Sequence, residues 1–155
     1  MKKTDVNLVI LNDLLRINTD RVERYKKAGY DTGDSELKSI FYLIADESRK
    51  NITDINKLIL RYYDTVRVQR PVYGGKIYRD WNDVRSKFSG TLRNNLLNSF
   101  EFGEMAAMAA YTMAKVDSSN AVVLELVNRQ YEAIKTSMEV IKSYRQAYDR
   151  MDAVQ

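Results

Sequence analysis

Asn18, Glu47, Glu104 and Gln130 are the polar residues that interrupt otherwise apolar helical stripes in this chain. Each falls near the middle of its predicted helix, so the four are expected to share one layer. The chemistry open to them is narrow. The sequence has no histidine and no cysteine, which removes the usual proton carrier near neutral pH and the soft metal ligands. Carboxylate, lysine, tyrosine and hydroxyl groups remain. Serine and threonine hydroxyls lack an imidazole to activate them. Gly74-Gly75 lacks the spacing of a phosphate-binding loop and follows no strand.

A mid-height carboxylate layer in a helical bundle is the arrangement that holds paired metals. There, two helices each give a Glu and the other two each give Glu-x-x-His. This chain has the glutamates without the histidines. Glu47-Ser-Arg-Lys50 and Glu132-Ala-Ile-Lys135 put an ammonium at the fourth position, which repels a cation and cannot ligate while protonated. Glu101-Phe-Gly-Glu104 offers two carboxylates three apart, a spacing common on any charged helix. The expectation is therefore no catalytic residue, no cofactor and no metal. An all-carboxylate site would take a hard cation rather than a redox pair.

Five helical segments must position these groups. The first is expected from an N-cap at Thr4 to Gly29, with Leu11, Leu14, Leu15, Val22 and Tyr25 as its stripe. The second runs from about Glu36 to Asp64, capped by Asp34 or Ser35, and buries Leu37, Ile40, Phe41, Ile44, Ile52, Ile55, Leu58 and Ile59. The only proline, Pro71, and Gly74-Gly75 mark a long break over Val66 to Lys76. A short helix, Ile77 to Phe88, follows, and Thr91 is expected to cap Leu92 to Val116. That helix is expected to bury Leu96, Phe100, Ala107 and Tyr111, with Gly103 and its alanine neighbours allowing close helix approach. The last runs from Ala121 to about Met151, along Val123, Leu126, Ile134, Met138, Ile141, Tyr144 and Tyr148. Residues 1–155 thus read as one all-α domain: two helical hairpins in a four-helix bundle, joined by a crossover that carries a short extra helix.

Charge and composition narrow the partners. The net charge is +4, from 25 basic and 21 acidic residues, interleaved along the helices, so nucleic acid ranks last among partners. The apolar run Leu8 to Leu11 is too short for a leader or a membrane span, and the reading is a cytoplasmic protein. Tyr42, Tyr62, Tyr63, Tyr73 and Tyr78 are interleaved with Arg61, Arg67, Arg70 and Arg79 around the crossover. Packing is their first expected role and self-association, as a homodimer, their second.

Several segments carry a resemblance. Leu11 to Tyr25 resembles the opening helix of a bacterial ferritin-like family of four-helix-bundle proteins whose domain is of unknown function. Glu36 to Phe41 resembles the start of that family's second helix, and Glu101 to Glu104 with Ala107 and Tyr111 its third. Trp81 fits the connecting helix. The likeness runs from about Leu8 to Tyr144 and implies a ferritin-like fold without supplying an activity. The chain departs at Val22 and Met138, where relatives often carry an acid and a histidine; both departures remove ligands, and the resemblance leaves Glu23, Glu47 and Glu104 as the positions that would supply a metal site. The expected function is a non-enzymatic structural or protein-binding bundle, stress-related in setting. The alternative is a divergent carboxylate-bridged metal protein with oxidase or storage activity.

Overall fold

The computed structural model describes residues 5–63, 75–86 and 96–154. Those residues form five helices and no strand: α1 (Val6–Asp31), α2 (Ser35–Tyr63), α3 (Lys76–Ser86), α4 (Leu96–Asp117) and α5 (Ala121–Val154). Thr4, Phe88, Thr91 and the start of the predicted fourth segment lie outside the described residues.

Short polar side chains start the long helices. Asp5 caps α1 by accepting from the amides of Asn7 and Leu8. Asp34 does the same for α2 at Glu36 and Leu37, and Asn120 for α5 at Val122 and Val123. Each satisfies amides that have no partner within the helix. Only three residues, 32–34, separate α1 from α2, and only 118–120 separate α4 from α5, so each pair is an antiparallel hairpin.

Contacts between the hairpins fix their arrangement. Along α1, Asn7, Asn18, Arg21 and Tyr25 meet Ser119, Tyr111, Glu104 and Phe100 in turn, so α1 and α4 are antiparallel. Along α2, Asp34, Glu36, Glu47 and Asn51 meet Tyr148, Tyr144, Ser137 and Gln130, so α2 and α5 are antiparallel as well. It follows that α2 and α4 point the same way. The chain between them must return along the helices, which is why it is long and why α3 lies in it.

The apolar side chains form two clusters. One gathers Ile10, Leu14, Ile17, Ile55, Ile59, Trp81, Ala107, Val127 and Ile134; the other Tyr25, Phe41, Ile44, Phe100 and Ile141. In the second, the rings of Tyr25, Phe41 and Phe100 pack with centroids 4.8–5.9 Å apart, within the range of favourable tilted aromatic pairs. Helical periodicity located most of this core. It erred at Leu96, which is largely exposed while Leu97 is buried, and at Tyr148, whose hydroxyl reaches outward to Asp34. Among the described residues no helix is long and apolar enough to cross a membrane.

α3 is held by a residue far away in sequence. Position 75, where a capping side chain would stand, is glycine. The buried carboxylate of Asp13 on α1 instead accepts from the amides of Gly75 (2.7 Å) and Tyr78 (3.3 Å). Glycine is required there for space, since a Cβ would lie 2.3 Å from Asp13 Oδ2 and 2.7 Å from Val9.

Candidate functional site

The polar interruptions do converge at the centre, but in two layers. The first is a closed circuit of amides and one phenol. Asn51 Nδ2 donates to Asn18 Oδ1 (3.0 Å), and Asn18 Nδ2 donates to Tyr111 Oη (2.8 Å). Tyr111 Oη donates to Gln130 Oε1 (2.6 Å), and Gln130 Nε2 returns to the backbone carbonyl of Asn51 (3.2 Å). Four helices contribute one side chain each. All four are buried, and such groups are tolerated inside a fold only when satisfied. Burial pushes the Tyr111 phenol far above its ordinary range, which keeps it a neutral donor.

The second layer separates the two apolar clusters and is ionic. Arg21 Nε and one terminal nitrogen grip the two oxygens of Glu104 at 3.0 and 2.6 Å, and the other terminal nitrogen donates to Ser48 Oγ at 2.6 Å. Both charged side chains are almost wholly enclosed, 3% and 2% exposed. Burial alone would push the guanidinium toward neutrality, but the Glu104 carboxylate more than reverses this and its pKa ends raised. The forked geometry matches the carboxylate, as expected for a strong buried pair. Glu47 stands at the edge of this layer, half-buried, within 3.4 Å of Ser137 Oγ. The Tyr25 hydroxyl is buried beside Glu104, and burial together with that carboxylate pushes its pKa well above the ordinary range.

The residues singled out for metal binding therefore part company. Glu104 is enclosed and held by Arg21, Glu47 lies at the margin, and Glu23 is exposed. The Glu101-x-x-Glu104 pair divides between two arginines, because Glu101 is bound by Arg145 on α5. No group of three or more acidic residues able to hold a metal occurs among the described residues. The donor set does not fit a paired-metal centre: a fixed cation already faces the enclosed carboxylate of Glu104, and both of its oxygens are engaged.

Arg21 is the central residue that the sequence reading passed over. It lies three and four residues from Asn18 and Ile17 and four from Tyr25, in phase with the buried stripe, whereas Val22, assigned to that stripe, is only half-buried. A second arginine explains Gly103. Arg24 Nη1 lies 3.0 Å from where a Cβ at 103 would stand, and its guanidinium lies over the Phe100 ring. Gly103 makes room for a side chain rather than for a helix backbone.

The tyrosine and arginine group divides too. Tyr42 packs its ring against Gly29, about 30 Å along α2 from Tyr62 at 1.5 Å per residue. Arg67, Arg70, Tyr73 and the side chain of Tyr63 lie outside the described residues.

Glu47 gives the layer a pH signature. Burial raises its pKa above the ordinary 4.5, with Arg21 opposing and Glu104 adding to the rise. A carboxyl whose pKa is higher in the folded state binds its proton more tightly there, so the ionised form costs stability above the folded pKa. Glu47→Gln should therefore stabilise the fold near neutral pH and make no difference below 4.5. Urea titrations at the two pH values check this, and a variant less stable at neutral pH would contradict it.

No protein of curated function matches the sequence. The pattern of one family does match, over residues 7–116, from Asn7 in the first turn of α1 to the penultimate residue of α4. That span takes in the Arg21–Glu104 pair and most of the amide circuit, and the chain belongs to this family, a domain of unknown function designated DUF2383.

Proposed function

We propose that the chain is a ferritin-like four-helix bundle that serves as a non-enzymatic structural or protein-binding protein, with an arginine occupying the place of a metal centre. Two antiparallel hairpins joined by a long crossover support the ferritin-like reading. The observation that carries the functional part is the buried Arg21–Glu104 pair. A guanidinium there is a permanent cation, held by the carboxylate that a divalent ion would need. Glu104 offers no open coordination position, since Arg21 engages both of its oxygens. The setting is cytoplasmic, and self-association through the crossover is the first interaction to examine.

The test is metal content. The full chain, prepared without a histidine tag from cells supplemented with iron and manganese, should carry far less than one equivalent of either, and chelator should leave its melting temperature unchanged. One equivalent retained through gel filtration, and lost on Glu104→Gln, would establish the metal-protein alternative instead.

A further inference from the structure

A cavity of about 390 Å³ opens between α1, α2 and α3, on the outer side of the polar layers. Leu15, Arg16, Thr19 and Asp20 of α1 line it, with Ile52 and Asn56 of α2 and Tyr78 of α3. Its volume lies at the small end of the range for small-molecule sites, and its lining joins apolar surface to a few convergent polar groups, as such sites do.

Thr19 donates to the Leu15 carbonyl, but the other polar side chains are free of hydrogen bonds among the described residues. Arg16 and Asp20 stand four residues apart on one helix, the spacing at which opposite charges normally pair. They do not pair here. The Arg16 guanidinium lies over the Tyr78 ring, 3.9 Å from its centroid. Asp20, Asn56 and Arg16 form no side-chain hydrogen bond or ion pair among the described residues. Asp20 is half-buried, and burial raises its pKa, a rise opposed by Arg85, Arg16 and Arg24 and reinforced by Glu23. A part-buried carboxylate and a guanidinium held on the Tyr78 ring thus line one cavity without bonding to each other.

We propose that this cavity binds a small zwitterion of the amino-acid class with an apolar side chain. Its carboxylate takes the Arg16 guanidinium, its ammonium takes Asp20, and its side chain covers Leu15 and Ile52. Asn56 supplies a further hydrogen bond from the α2 wall. A ligand that carries only one of the two charges leaves either Arg16 or Asp20 without a ligand partner and binds more weakly. The proposal is separate from the reading of the centre, because none of these residues touches the Arg21–Glu104 pair.

Calorimetric titration of the full chain with leucine tests it, using 4-methylpentanoate and 3-methylbutylamine as probes that each lack one charge. Leucine should bind saturably, and each single-charge probe should bind at least about tenfold more weakly. Arg16→Gln should erase the advantage of leucine over the amine, and Asp20→Asn its advantage over the acid. Both positions are only partly buried, so circular dichroism should show unchanged melting. No saturable heat from leucine would overturn the proposal, as would an unchanged leucine affinity in both variants. Metal content plays no part in this assay, so its failure would leave the proposed function untouched.

Discussion

Arg21→Met should destabilise the fold by about 3–5 kcal/mol, the cost of leaving a buried carboxylate without its partner. Glu104 would lose both of its charge-assisted hydrogen bonds and Ser48 its donor, in a place where each side chain is at most 3% exposed. The double variant Arg21→Met, Glu104→Met should regain most of the stability, because exchanging a buried ion pair for apolar side chains of similar size is often neutral or favourable. Chemical denaturation of the two single variants and the double variant gives the coupling directly. Additive losses would show that the pair is not the unit described above.

Phe41→Ala should cost about 3–5 kcal/mol, through lost burial and the cavity left behind. Phe41 is fully enclosed, and its ring contacts those of Tyr25 on α1 and Phe100 on α4. Its removal therefore strips apolar contact from three helices at once. Phe41→Leu keeps most of the volume and should lose less than half as much. Equal losses from the two variants, read from denaturation midpoints at constant slope, would mean that the cluster does not depend on the ring.

Much of the fold was legible because the long helices follow simple rules. Asp34 and Asn120 mark helix starts by their side-chain chemistry, and Leu37, Phe41, Ile44, Ile55 and Ile59 repeat at the helical period and are buried. The central polar residues were partly legible: Asn18, Glu104 and Gln130 interrupt stripes and are enclosed. Their grouping was not legible, because periodicity gives the face of a helix and not its height against a neighbour. Asn18 and Glu104 lie close to the same mid-height yet belong to different layers. Arg21 was missed for a related reason. An arginine in phase with a buried stripe reads as surface until a carboxylate from another helix is known to meet it, and that carboxylate is 83 positions away. The start of α1 was misplaced by one residue because Thr4 and Asp5 are both good caps, and the amides of Asn7 and Leu8 choose Asp5.

The bond from Asp13 to the start of α3 has a consequence for how the chain assembles. An eleven-residue helix is too short to persist by itself in water, and this one has no starting side chain of its own. Its first turn is completed by a carboxylate 62 residues earlier in the chain, on α1. The short helix thus owes its start to the first helix and not to its own residues.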